Sequence, residues 1–380
     1  MADLGGRIET SGLMLRSLLL LNRCEQYDIR VWERFEAMGA PPEAFIREGL
    51  SIWKKLGISE RGIDIMSKAA SSGWVDRELD MCEKLGVSVI TCRDAAFPPS
   101  LMQMSDTPLV LYAKGRIPPP AAKSIAVVGT RRCSPYASKI AREIGRRAAG
   151  IGWNVVSGGA KGIDGFAHLG CLEGGGFTAA ILGTGVDMVY PSEHRELFER
   201  ILEKGALYSE YALGARGESW RFPRRNRIIS GLASKIVVAE APHKSGAMIT
   251  ARFAAEGGRE VWAVPGRIDD GACAGSNRLI FDGAFPLVDF DVFFGTPEQG
   301  RTKELFGGDE LTSARRAAAP KMSADEKKIL SLLALGGDIT IDNLAGEAKM
   351  SAAEVFKIIS VMSLRGLVLS SGPGRYRPAG

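Results

Sequence analysis

The sequence predicts an α/β fold: a doubly wound parallel sheet in the middle of the chain, with a helical domain before it and a winged helix after it. Three observations carry this reading. Short, wholly apolar runs such as 125–128 and 236–239 alternate with helix-length segments, the pattern of strands covered on both faces. Glycine concentrates in the same region, with 27 of the 46 between residues 121 and 300 against 10 before and 9 after. Two capping boxes, Ser323…Glu326 and Ser351…Glu354, open amphipathic helices near the C-terminus.

The first part, 1–95, reads as helical. Leu13, Leu15, Leu18, Leu19 and Leu21 mark one helix, and Phe35, Phe45, Ile46, Ile52, Trp53, Ile65 and Met66 recur at helical spacings between breakers such as Pro41-Pro42 and Gly57. Small bundles of this sort include DNA-binding helix-hairpin modules, but more often they serve interaction or packing. Residues 87–91 and 109–112 read as short strands around Pro98-Pro99.

The middle part, 96–295, holds the sheet. Its first apolar run, 125–128, ends in Gly129, and Ser134-Pro135 supplies an N-cap and a first-turn proline for a helix to about Gly150. Further strands are expected at 155–156, 179–182, 207–209, 236–239 and 261–264, with helices between them. Ligands of such sheets bind beyond the strand C-terminal ends, where the glycine loops fall. A linker is expected over 296–322, rich in Gly, Pro, charge and small residues. After it, helices at Ser323 and Ser351 and a hairpin around Ser371-Gly372-Pro373-Gly374 describe a winged helix over 323–380.

Composition excludes several classes. The chain has 380 residues, 45% hydrophobic and 24% charged, which is ordinary globular material. No apolar stretch approaches the ~20 residues of a membrane span or the shape of a signal peptide, so no membrane association and a cytoplasmic location are expected. Six scattered cysteines share no C-x-x-C spacing, and three histidines leave little for a metal site, so neither a metal nor a cofactor is expected. The net charge of +5 permits a polyanionic partner without demanding one. G-x-G-x-x-G, G-x-x-x-x-G-K-[S/T] and G-x-S-x-G are all absent, which argues against dinucleotide enzymes, P-loop ATPases and serine hydrolases.

What remains is a pair of phosphate-friendly loops. Gly129-Thr130-Arg131-Arg132 follows the first strand; Ser157-Gly158-Gly159-Ala160-Lys161-Gly162 follows the second and leads into a helix. Small residues let backbone N–H groups approach an anion at a helix N-terminus, and Arg131 and Lys161 add charge. The structural alternative is two tight turns with solvated basic residues. Five arginines lie within the twelve residues 216–227, interleaved with Trp220 and Phe222. Arginine forks bind phosphate and bases stack on aromatic faces, so this is the composition of a single-strand binder. Here Phe222 is expected to be buried and the arginines exposed. His168 reads as structural, Asp164 as orienting its loop or capping the helix, and Glu240 as the only carboxylate placed for acid–base work.

The strings IAVVGTR (125–131), SGGAKGIDGFAH (157–168), GTGVDMVYP (183–191), RFPRRNRIISGL (221–232), VVAEAPHKSGAMITA (237–251) and AGSNRLIFDGA (274–284), in this order, resemble the bacterial DNA-processing protein A family, also called Smf. The resemblance spans about 97–290. It implies an extended Rossmann-like fold and a cytoplasmic homodimer that binds single-stranded DNA without catalysis, protects incoming DNA and loads a RecA-type recombinase during natural transformation. By position, it carries DNA contacts onto Gly129, Arg131, Ser157, Gly158, Gly159, Lys161, Gly162, Arg225 and Asn226. Thr130, Ala160, Arg224, Ser245 and Gly246, in the same strings, complete the expected set. Ser192 and His194 stand where many relatives have a basic residue and an asparagine, which makes that rim less basic. Ala137 and Cys273 replace a common glycine and serine. The rival reading is a nucleotide-processing hydrolase on a related sheet, using Glu240 and an arginine; its usual P-G-G-x-G-T-x-x-E string is absent. A transcription regulator acting through the winged helix is a third.

Overall fold

Strand β3 (Ser124–Val128) is buried on both faces. Side chains alternate along a strand, so Ala126 and Val128 enter one core layer while Ile125 and Val127 enter the other. On one side of β3 lie β4 (Asn154–Ser157), β5 (Thr178–Ile181) and β6 (Ala206–Ser209), all parallel. On its other side lie β7 (Lys235–Val238), β8 (Glu260–Ala263) and β9 (Phe285–Pro286), also parallel. Ile125 pairs with Val155 on the first side and with Lys235 on the second, so the chain reverses its winding at β3. An antiparallel pair, β1 (Val87–Thr91) and β2 (Val110–Gly115), joins the β6 edge and completes a nine-stranded sheet.

The computed structural model describes residues 4–119, 122–295, 323–336, 339–364, 367–372 and 375–378. It divides into two units, Met1–Thr296 and Pro297–Gly380. The linker expected over 296–322 lies outside the described residues.

In the first unit, α7 (Pro135–Gly150) and α8 (Ile163–Glu173) cover one face of the sheet. The start of α7 is the expected one: Ser134 Oγ accepts from Ala137 N at 3.1 Å and Pro135 occupies the first turn. The two helices cross at close range because glycines face carbonyls there; a Cβ on Gly170 would stand 1.9 Å from Arg142 O. The other face carries α9 (Arg195–Lys204), α10 (Arg221–Leu232) and α11 (Gly246–Glu256). Small α12 (Ala274–Phe281) and α13 (Phe290–Phe294) flank β9.

The N-terminal helices are α1 (Leu4–Asn22), α2 (Ile29–Ala37), α3 (Ala44–Arg47), α4 (Gly49–Lys55), α5 (Glu60–Ser71) and α6 (Trp74–Lys84). Trp32, Phe35, Phe45 and Trp53 interlock at their centre, with neighbouring rings 4.9 to 6.1 Å apart. Each such fully buried side chain contributes about 1.5–3 kcal/mol of transfer energy. This layer shares one apolar core with β2 and β6, and polar ties reinforce the contact: Asn22 Nδ2 donates to Glu210 O at 2.9 Å, and Leu213 N donates to Glu78 Oε1 at 2.7 Å.

The second unit has its own core, built on Ile329, Leu333, Leu344, Val355, Ile359 and Met362. Its helices among the described residues are α14 (Ala324–Gly336), α15 (Ile341–Ala348) and α16 (Ala352–Leu364). Both capping boxes form: Glu326 N donates to Ser323 Oγ at 3.1 Å and Ser351 N donates to Glu354 Oε2 at 2.9 Å. Strands β11 (Val368–Gly372) and β12 (Arg375–Pro378) pair antiparallel, with β10 (Ile339–Thr340) on the other side of β12.

Candidate nucleic-acid interface

The loops after β3, β4, β5 and β7 all emerge at the C-terminal edge of the sheet, and the winding reverses between β3 and β7. That is where an open α/β sheet leaves a crevice. Two neighbouring clefts lie there, of ≈ 430 Å³ and ≈ 360 Å³. Arg131, Ala160 and Arg225 line both.

Buried carboxylates hold the loops in shape. Asp164 accepts from Gly158 N at 3.0 Å and Ala160 N at 3.3 Å, so it orients the second loop. Its burial pushes the carboxyl up, opposed by nearby Arg225 and these hydrogen bonds. Glu240 joins the first loop to the end of β7: its carboxylate accepts from Ser134 N at 2.9 Å and Ser134 Oγ at 2.5 Å, and its carbonyl accepts from Thr130 N at 2.7 Å. The carboxylate that the sequence offered for acid–base work is therefore a structural anchor. Gly162 has φ +78, and a Cβ there would lie 2.4 Å from Thr130 O, so the two loops touch through a position only glycine fits.

Some loop amides offered to an anion are thus engaged inside the protein. Among the described residues, the amides of Lys161 and Gly162, at the N-terminus of α8, have no hydrogen-bond partner. Ser245 caps α11, its Oγ accepting from Ala247 N at 3.2 Å, and with Gly246 it lines the second cleft. Asn226 also lines it and donates from Nδ2 to Gly246 O at 3.1 Å, so α10 positions the start of α11. Gly129 and Thr130 line this cleft, Gly158 and Lys161 the first. Ser157 lies beneath, its hydroxyl donating to Val127 O at 2.6 Å, and Gly159, with φ +64, packs against Phe198.

The arginine cluster departs from expectation. It is the first two turns of α10 and the segment before it, and Arg221, Arg225 and Arg227 are buried. Arg221 forms a two-pronged pair with Glu25 at 2.9 and 2.8 Å, and Arg227 one with Glu210 at 3.0 and 2.7 Å. Arg224 is half-buried, 3.5 Å from Glu210. Arg225 donates from Nη1 to Gly158 O at 2.6 Å and to Ile181 O, while its Nε has no partner. Burial lowers its guanidinium to about 10, still charged at neutral pH. Phe222 is half-buried rather than buried, and Trp220 is exposed.

Phe222 instead belongs to the first cleft with Tyr190, their ring centroids 5.2 Å apart. The exposed guanidinium of Arg131 stands 5.8 Å above the Phe222 ring. The rings offer stacking faces beside a cation. Sequence reasoning missed Tyr190 and Lys244, the latter in the second cleft. Lys244 immediately precedes the Ser245 N-cap, which was the available signal.

The family described as DNA recombination-mediator protein A matches residues 88–295. The chain is 33% identical over 317 residues to Protein Smf of Synechocystis, covering 76% of this chain and 79% of that one. It is 33% identical over 309 residues to Protein Smf of Escherichia coli, covering 80% of each. The chain belongs to the DNA recombination-mediator protein A family. The crystal structure of DNA processing protein A from Streptococcus pneumoniae superposes with a TM-score of 0.64 at 30% identity, over 75% of this chain and 96% of that one. The recombination-mediator match runs from within β1 to the end of α13, so both clefts fall inside it. Among the described residues, no helix is long and apolar enough to cross a membrane and no cluster of side chains is arranged to hold a metal.

Proposed function

We propose that this member of the family binds single-stranded DNA through the two clefts, protects incoming DNA and loads a RecA-type recombinase onto it in natural transformation, in the cytoplasm. One observation carries the binding reading: Arg131 stands between the clefts, with the Tyr190–Phe222 faces on one side and the capped start of α11 on the other. A flexible strand can place a base on the rings and neighbouring phosphates on Arg131, Lys161 and the helix N-termini. The contacting set is Gly129, Thr130, Arg131, Gly158, Ala160, Lys161, Asn226, Ser245 and Gly246. Ser157, Gly159, Gly162 and Arg225 shape the floor and walls, while Arg224, paired with Glu210, lines neither cleft.

A homodimer is part of the proposal. Phe281, Phe285, Val288 and Val292 are exposed beside β9, the open edge of the sheet, and an uncovered apolar edge favours self-association. Among its described residues, the unit Pro297–Gly380 has three helices and a hairpin, which fits a winged helix. Salt-titrated binding to matched single- and double-stranded oligonucleotides tests the core of the proposal. Four to six phosphate contacts give a log–log salt slope of about −3 to −4 on single strands. Equal affinity for blunt duplex would overturn it.

A further inference from the structure

In the cleft of Tyr190 and Phe222, Glu193 is the only acidic side chain among the described lining residues. Its carboxylate is ion-paired with Lys161 Nζ and also accepts from Ser192 Oγ at 3.2 Å. Both partners remain exposed, at 50% and 59%, so charge attraction rather than burial holds them together. The other cations of the cleft are differently placed: Arg131 leans over Phe222, and Arg225 is held by the carbonyls of Gly158 and Ile181. Among the described residues, Lys161 is the cation of this cleft paired with a carboxylate that also lines it. The pairing with Lys161 holds the Glu193 carboxyl down at about 2, so the pair stays ionised across the neutral range.

We infer that Glu193 is a built-in competitor for phosphate, which occupies Lys161 in the empty cleft and must be displaced when a strand enters. This rests on the single-strand reading above. A lysine ammonium is a compact charge on a flexible stem and changes partners easily. It has an anion beside it both before and after binding, so it adds less to affinity than a free cation. As a bound phosphate loosens, the carboxylate beside it recaptures the ammonium. Binding is weakened and dissociation quickened, which suits a protein that hands its strand on.

Fluorescence anisotropy of a labelled oligothymidylate, on the full chain carrying E193Q, K161A or both, tests this. E193Q binds about three- to fivefold more tightly at low salt, the scale of one exposed ion pair. It also dissociates more slowly, and its salt slope steepens by about 0.7, one phosphate's share. In the K161A background the same change shifts affinity by less than about 1.5-fold, because a charge effect routed through one partner disappears with it. Glu193→Asp, which keeps the carboxylate, stays near wild type. Unchanged or weaker binding by E193Q, or an equal gain with and without Lys161, overturns the inference while leaving wild-type binding intact. A wild-type chain that holds no single strand at any salt overturns the single-strand reading, and this inference with it.

Discussion

Arg131 and Lys161 sit on loops whose shape is set by other residues, chiefly Asp164, Glu240 and Gly162. Binding and stability should therefore separate at these two positions. Arg131→Ala is expected to lose roughly 1.5–3 kcal/mol of single-strand affinity, the value of a charged hydrogen bond, and Lys161→Ala a smaller amount because Glu193 already offsets part of its charge. Their thermal unfolding should stay within about 0.5 kcal/mol of wild type, as for other surface changes. Early unfolding or normal binding in either variant contradicts the assignment. His168 is the opposite case. It is fully buried, its Nδ1 lies 2.6 Å from Thr178 Oγ1, and that hydroxyl donates to Val155 O at 2.9 Å. Nδ1 therefore carries the proton, and Nε2 has no partner among the described residues. Burial lowers its pKa from 6.5 to about 3, so between those values the unfolded chain binds a proton that the folded one refuses. This contribution is complete above about pH 6.5 and is lost on acidification, at roughly 1.4 kcal/mol per pH unit. Denaturant titrations of wild type and His168→Asn from pH 7 to pH 4 check it: the stability gap should narrow as pH falls. The structural reading of His168 was available from sequence because only Asp164 stood at a partnered spacing. Its bond to Thr178 was not, since that joins a helix to the next strand.

At the scale of elements, α10 shows where sequence pattern misleads. Five arginines in twelve residues resemble a solvated strip because arginine is rarely buried unless paired. The partners that bury them, Glu25, Asp106 and Glu210, lie on other segments, as far as 196 residues away, and no local spacing reports them. The same string thus mixes two jobs. Arg221 and Arg227 tie the N-terminal helices and the β6 loop to α10, while Phe222, Arg225 and Asn226 face the clefts. Arg227→Met leaves Glu210 without its two-pronged partner inside the protein, and breaking a buried pair costs about 3–5 kcal/mol. Chemical denaturation should show that loss. The folded fraction should still bind single strands about as tightly as wild type, in contrast to the Arg131 variant. A large affinity loss in fully folded Arg227→Met would return this arginine to the binding surface. By comparison, the strands of the sheet and the start of α7 were legible, because apolar alternation, Ser134 and Pro135 act within a few residues of each other.

For the molecule as a whole, the question is which unit carries the DNA. The sheet and its glycine loops could be read from sequence because buried parallel strands and strand-end glycines have a local signature; the pairing of the two clefts could not, since it depends on Arg131 reaching between loops distant in sequence. Both clefts belong to the unit Met1–Thr296. The remainder has little charge to offer a polyanion. From Ser323 to Gly380, Lys327, Lys328, Lys349, Lys357, Arg365, Arg375 and Arg377 face six acids, Asp325, Glu326, Asp338, Asp342, Glu347 and Glu354, so seven minus six leaves +1. Affinity for nucleic acid rests largely on neutralised phosphates, and a segment so nearly balanced neutralises few. Lys328 is further withdrawn by donating to Ala348 O at 2.7 Å. A chain ending at Gly295 should therefore keep single-strand affinity within about tenfold of the full chain, a difference under ~1.4 kcal/mol. The first unit buries its own core layer on each face of the sheet, so the shortened chain should also unfold cooperatively. A loss beyond tenfold in a chain that still folds would move the main binding surface into the C-terminal unit. The measurement is best made at two salt concentrations. A truncation that merely removes a weak, delocalised attraction lowers affinity at low salt and leaves it unchanged at high salt, whereas loss of the principal contacts lowers it at both.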